Sequence, residues 1–161
     1  MCIIGYKQRN IGRTDTHMAE LTAPPELQSA IKASASVSQK KKGTILFRRG
    51  DPVIGVFLVL HGNVNLRLGE QGSAYPERKV GCGAIVGLPA TLSGGVYSLG
   101  AEVSEDAELA FVSRQDFLEI LAKDTNLCLE AMNVLGNEIA SMRSALVCQR
   151  AKKSGSVRLQ E

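Results

Sequence analysis

Short apolar segments separated by turns fill the central part of the chain, residues 43–112. Each segment is rich in β-branched or other apolar residues and ends at Gly, Pro, Asn or Asp. Val64, Leu66 and Leu68 alternate with polar neighbours, which is the period of a half-buried strand. Short strands at this spacing predict an antiparallel sandwich or barrel. The predicted strands cover residues 44–47, 56–60, 64–68, 99–103 and 107–112.

The apolar period becomes helical on both sides of these strands. Two prolines precede residues 26–31, which favours a short helix with proline at its start. Ser113 is a candidate N-cap for a second helix over residues 115–122. A longer helix is predicted over residues 126–149.

Apolar residues recur along the longest predicted helix at alternating steps of four and three. This heptad seam consists of Cys128, Met132, Leu135, Ile139, Met142 and Leu146. A repeat sustained over about three heptads favours pairing with a second helix. Packing of the helix on its own domain would give a similar pattern. We expect a homodimer held by the long helix.

The predicted strands resemble those of a known family. Residues 43–51 read GTILFRRGD and residues 56–66 read VFLVLHGNVNL, and both resemble the opening strands of the cyclic-nucleotide-binding domain. The pattern is most similar to the sensor domains of the CRP/FNR regulators. Residues 83–87 and 117–121 fall where that family has the entry to its phosphate cassette and the helix after the roll.

The resemblance covers residues 25–147 and implies a fold that is mainly β with flanking helices. The expected architecture is an antiparallel β-roll, or double-stranded jelly roll, followed by a long dimerisation helix. We expect one such domain over residues 23–149, between a flexible N-terminal arm at residues 1–22 and a flexible tail at residues 150–161.

The cassette of this chain departs from the family pattern at its polar positions. In the family, a Gly-Glu pair opens a short helix, the Glu accepts the ribose hydroxyl, and a nearby Arg holds the cyclic phosphate. Gly87 is present, but Leu88 stands at the Glu position. Pro89 then removes one backbone donor, and Tyr97 most nearly takes the Arg position. Residues 81–113 contain no Lys or Arg.

Three interpretations of the ligand site follow from these departures. A cyclic nucleotide, cyclic AMP or cyclic GMP, would need a phosphate donor such as Ser98 and a charge from Arg143 or Arg67. A pocket for a less polar ligand would be lined by Leu88, Tyr97 and Met142, and the third interpretation is an empty pocket. The residues by themselves identify no cofactor. The candidate site residues are Gly87, Leu88, Pro89, Ala90, Tyr97, Ser98, Met142 and Arg143.

Composition argues against several other classes of function. The four cysteines are scattered and form no CxxC pair, which indicates thiols in a reducing compartment rather than a metal site. The 161 residues contain no nucleophile–base pair or paired carboxylates in an apolar setting, so we expect no enzyme. The first apolar run is too short for a signal peptide or a membrane span, which predicts a cytoplasmic protein.

Charge and length bear on DNA binding. The net charge of +3 is mild, and the chain stops within a dozen or so residues of the long helix, where the family's transcription factors carry a helix-turn-helix domain. We expect no autonomous sequence-specific DNA binding. The sequence thus predicts a regulatory or ligand-sensing module that acts through a dimer or a partner protein. The alternative is a truncated CRP/FNR-type transcription regulator that still binds a cyclic nucleotide.

Overall fold

A computed structural model of the chain describes residues 22–69 and 77–155. The expected N-terminal arm lies outside this part of the chain except for Thr22, which forms a bridge to Ala84. The elements in chain order are α1 (Pro25–Ser34), β1 (Ser36–Lys40), β2 (Ile45–Phe47), β3 (Gly55–Arg67), β4 (Arg78–Val80), β5 (Ile85–Val86), α2 (Leu88–Ser93), β6 (Gly100–Ser113), α3 (Arg114–Lys123) and α4 (Thr125–Gly155).

The two long strands β3 and β6 form the centre of a six-stranded antiparallel sheet. The order along the sheet is β1-β6-β3-β4, while β2 also pairs with β6 and β5 also pairs with β3. Alternate side chains of β3 face two cores, as the pleat of a strand requires. Phe57 and Val59 pack among residues of the sheet and the cassette. Val56 and Leu58 pack against the helices α1, α3 and α4. The predicted β fold with flanking helices is confirmed.

The break expected between strands at residues 56–60 and 64–68 is wrong, because β3 runs through residues 61–63. The pairing register of β3 with β6 shifts there, which is a bulge that bends the strand without ending it. Gly62 has a φ of 82°. A Cβ at this position would collide with the backbone of Asp106 and Ala107, so the bulge brings the two strands too close for any side chain.

The helix α3 begins as predicted at Ser113. The backbone N–H of Asp116 donates to Ser113 Oγ at 3.2 Å, and the hydroxyl donates in turn to the Asp116 carboxylate at 2.6 Å. This N-cap satisfies one of the free amides of the first turn. β6 ends at Ser113, and α3 begins at the next residue.

The helix α4 packs on the domain through a stripe that is different from the heptad seam. The packed stripe consists of Ala131, Val134, Glu138 and Ser141, all buried. In the seam, Met132, Ile139 and Leu146 are exposed by 54%, 56% and 45% of their surface. The other three seam residues, Cys128, Leu135 and Met142, are half-buried.

The helix α4 ends at Gly155, beyond the boundary expected for the tail at residue 150. Lys, Arg, Gln and Ala favour helix even without an apolar stripe, whereas glycine does not. The expected tail is therefore helical over residues 150–155, and the remainder lies outside the described part of the chain. No helix within that part is long and apolar enough to cross a bilayer.

Candidate functional site

A small cavity lies between the cassette, residues 87–98, and the long helix α4. We call it the cassette cavity. Its volume is ≈ 20 Å³, which is room for one group of the size of a water molecule. Most of its lining is apolar, and the polar contributions come from Ser98, Glu138 and backbone atoms. The lining residues are Phe47, Leu66, Gly87, Pro89, Ala90, Tyr97, Ser98, Leu99 and Glu138.

Tyr97 fills the position that the resemblance assigns to the phosphate-binding Arg. The side chain is 2% exposed, and its ring stacks on that of Phe47 with 3.7 Å between centroids. The Tyr97 hydroxyl donates to the carbonyl oxygen of Gly55 at 2.8 Å. It also accepts from the backbone N–H groups of Ile54 and Gly55, each at 3.2 Å. The phenol is therefore fully hydrogen-bonded within the protein.

Gly87 makes room for this tyrosine at the start of α2. Its φ of 89° is in the left-handed region, and a Cβ there would lie 3.0 Å from a ring carbon of Tyr97. The first arginine after the cassette in sequence, Arg114, donates from Nε to the carbonyl oxygen of Thr91 at 3.0 Å. That guanidinium thus stabilises the end of α2 rather than the cavity.

The structure brings together Gly87, Pro89, Ala90, Tyr97 and Ser98 of the eight candidate residues. The other three do not line the cavity.

Leu88 is fully buried in the core beneath the helices, because the first turn of α2 directs it away from the cassette. On α4, Met142 is half-buried and Arg143 is exposed, since Glu138 and Ser141 occupy the face toward the domain. Leu88 and Met142 therefore do not line the cassette cavity together with Tyr97.

Glu138 is the residue of the cavity that the sequence reasoning missed. Its side chain is 4% exposed, and Oε2 has no hydrogen-bond partner among the described residues. Burial raises the pKa of Glu138 to about 7, and the nearby positive charge of Arg78 opposes this rise. The sequence does contain a signal for this residue. Ala131, Val134 and Ser141 recur with it at helical spacing, which places Glu138 on the packed stripe.

Arg67 does not supply the missing charge. It forms salt bridges at 2.7 Å with both Glu77 and Glu102, and it is not among the residues that line the cavity. No Arg or Lys is among the described lining residues, and a carboxyl group stands there instead. A cyclic phosphate in this cavity would lie beside the Glu138 carboxyl and would meet no Arg or Lys among the lining residues.

Solved structures share this architecture at low sequence identity. A protein from a cyclic-GMP-dependent signalling pathway that regulates bacterial phytopathogenesis is 22% identical with a TM-score of 0.66, and the match covers 74% of this chain and 95% of that chain. The catabolite activator protein of Thermus thermophilus is 24% identical with a TM-score of 0.53, over 82% of this chain and 57% of that one.

A third similar structure is the c-di-GMP responsive global regulator CLP from Xanthomonas campestris. It is 20% identical with a TM-score of 0.60, over 85% of this chain and 66% of that chain. The match thus spans somewhat less than two thirds of the last two proteins. No curated protein sequence matches the chain.

The family model of the cyclic nucleotide-binding domain matches residues 38–124. This span begins in β1, includes the remaining strands and the cassette, and ends just after α3. It covers more than half of the 161 residues. The chain belongs to the cyclic nucleotide-binding domain family.

Proposed function

We propose that this protein is a non-enzymatic regulatory module of the cytoplasm that acts as a homodimer through α4. The observation that carries the proposal is the double role of this helix. Glu138 forms part of the cassette cavity, while the next residue, Ile139, lies on the exposed heptad seam. A change at the cavity that moves this turn of the helix also moves the surface on which a partner would pack.

The exposed seam supports the homodimer. Its three most exposed residues are spaced by seven, so they form one stripe on a helix that supercoils with a second copy. Cys128 and Leu135 of the seam pack at the edge of the domain core, whereas Met132, Ile139 and Leu146 are left exposed. Soluble monomers rarely leave such a stripe in water, and most homo-oligomers are two-fold symmetric dimers.

We also infer that the cassette does not hold cyclic AMP or cyclic GMP in the usual way. A charge-assisted hydrogen bond contributes about 1.5–3 kcal/mol, so losing both the Arg and the Glu removes several powers of ten in affinity. The stack of Tyr97 on Phe47 adds a steric obstacle, because the ring fills the space beside Gly87. The second candidate function, a CRP/FNR-type regulator that binds a cyclic nucleotide, is supported by the family match.

Calorimetric titration with cyclic AMP and cyclic GMP distinguishes these two functions. We expect no dissociation constant below about 100 μM for either nucleotide, since no Lys or Arg lines the cavity. The variant with both Leu88→Glu and Tyr97→Arg restores the family residues and serves as a comparison. A micromolar constant for the unchanged protein would support the nucleotide-binding regulator instead.

A further inference from the structure

The long helix α4 carries a buried carboxyl group on the face that packs against the domain. Glu138 is 4% exposed, although the residue that follows it, Ile139, is 56% exposed on the heptad seam. A carboxylate removed from water loses its hydration, whereas the protonated group has no charge to desolvate. Loss of the proton therefore favours any movement of this turn of helix that returns the carboxyl to water.

The groups around this carboxyl are uncharged, with one exception. The cassette cavity beside it is lined by residues of β2, β3 and the cassette, and Tyr97 is the one titratable side chain among them. The Tyr97 hydroxyl is hydrogen-bonded to the backbone of Gly55, and Ser98 adds a neutral hydroxyl. On β4, the positive charge of Arg78 favours the ionised form of Glu138, but less than burial disfavours it. Burial and Arg78 thus oppose each other at this group.

The turn of α4 that contains Glu138 is open on its outer side. Gly136 is exposed there, and a Cβ at this position would meet nothing within 4 Å. Packing on the domain therefore does not require a glycine, and glycine lowers the stability of a helix interior. In a single chain the domain supports this turn from one side, whereas a second helix packed on Ile139 would support it from the other side as well.

We propose that pairing of two chains through α4 is coupled to protonation of Glu138, so that the dimer weakens as the pH rises. This inference rests on the proposed homodimer. A partner helix on Ile139 holds the adjacent Glu138 against the domain, so its carboxyl is kept from water more completely in the dimer than in the monomer. The more buried state binds the proton more tightly, so dimerisation takes up protons and their removal separates the chains.

Sedimentation equilibrium of the full chain at several pH values measures this coupling. Burial raises the pKa of Glu138 to about 7, so the carboxyl changes its charge between pH 6 and pH 8. Each dimer contains two such groups. We expect the dissociation constant of the dimer to rise about tenfold or more over this range.

Two variants with the same chemical change locate the response. Glu138→Gln keeps the size of the side chain and cannot ionise, so its dissociation constant should change less than about twofold between pH 6 and pH 8. Glu119→Gln, at an exposed residue of α3, should retain the full response. Any contribution of the exposed His61 is the same in all three proteins. Far-ultraviolet circular dichroism verifies that each variant keeps the fold.

A third variant separates proton binding from a merely structural role of Glu138. Arg78→Gln removes the positive charge that favours the ionised carboxyl, so the rise of the dissociation constant should move to higher pH. A glutamate that only packs would give no such shift. This variant leaves Glu138 in place, so it tests the coupling even if Glu138→Gln does not fold.

The outcomes distinguish this inference from the homodimer on which it rests. A dimer with one dissociation constant at pH 6 and pH 8 would overturn the coupling and leave the homodimer intact. The same conclusion follows if the response persists in Glu138→Gln or keeps its midpoint in Arg78→Gln. A monomer at every pH would contradict the homodimer and the coupling together.

Discussion

Single residues decide the character of the cassette. Tyr97 makes three hydrogen bonds with the backbone of residues 54–55 and stacks on Phe47, so it holds the cassette against the start of β3. A phosphate-binding Arg at this position would need the same space and would extend a charge into it. Gly87 allows the close approach of the ring. Tyr97 therefore serves the internal packing of the domain.

Glu138 makes the stability of the domain depend on pH. Burial raises the pKa of Glu138 from its ordinary value of 4.5 to about 7. Between these values the folded state binds more protons than the unfolded state. The contribution of Glu138 to the free energy of unfolding is therefore fully present below pH 4.5 and is lost as the pH rises through 7. The loss is on the order of 3 kcal/mol. Urea unfolding of the wild type at pH 5 and pH 8 should show this decrease, and Glu138→Gln should remove it.

Other shifted groups do not obscure this comparison. The hydrogen bond from Lys79 lowers the pKa of Glu105, and the backbone N–H of Lys42 lowers the pKa of Asp106. Their contributions are lost as the pH falls in the acid range, and they are the same in the wild type and the variant. If the free energy of unfolding changed equally between pH 5 and pH 8 in the wild type and in Glu138→Gln, the burial of the Glu138 carboxyl would be contradicted.

At the scale of elements, the bulge in β3 is the feature most sensitive to substitution. Gly62 and Gly43 have nearly the same φ, 82° and 86°, but a Cβ at Gly43 would meet nothing within 4 Å. Gly43→Ala should therefore cost only the backbone strain, about 1–2 kcal/mol. Gly62→Ala adds a collision with the backbone of β6 and should cost at least about 2 kcal/mol more. Chemical unfolding measures both, and equal costs would show that the strands can separate at the bulge.

The apolar pattern predicted the strands and helices in which apolar residues recur at a regular spacing. The strands of the centre and the helices α1, α3 and α4 occur where the period places them. The strand β1 was not predicted, because its only large apolar residue, Val37, is 54% exposed. This strand is held by backbone pairing with β6, from Ser36 opposite Phe111 to Lys40 opposite Ala107. The pattern of apolar residues within a segment does not show whether its backbone will hydrogen-bond to a strand that is distant in sequence.

The candidate site was predicted in position and only partly in composition. The resemblance located the cassette, and five of its residues do line the cavity. The core into which Leu88 packs depends on how α2 lies on the sheet. The burial of Glu138 depends on the rotation of α4 about its axis. An isolated acid on a helix is ordinarily a solvated residue, so only tertiary packing distinguishes this glutamate.

At the scale of the whole molecule, the exposed seam is the surface that bears on the proposed assembly. Met132, Ile139 and Leu146 lie on one stripe of α4 and remain exposed beside the domain. A parallel pair of these helices about a two-fold axis would cover both stripes at once. The partner would contact the residues next to Glu138, so the cassette cavity and the dimer contact share one turn of helix.

Substitutions on and off the seam test this assembly. Wild-type protein at micromolar concentration should sediment at twice the mass of the chain. Ile139→Asp should shift it to the mass of one chain, because the dimer would bury an unpaired charge. Val147→Asp places the same charge on the same helix, at a residue that is 63% exposed and outside the seam, and should remain dimeric. A wild-type monomer at this concentration, or equal effects of the two substitutions, would show that the seam does not pair.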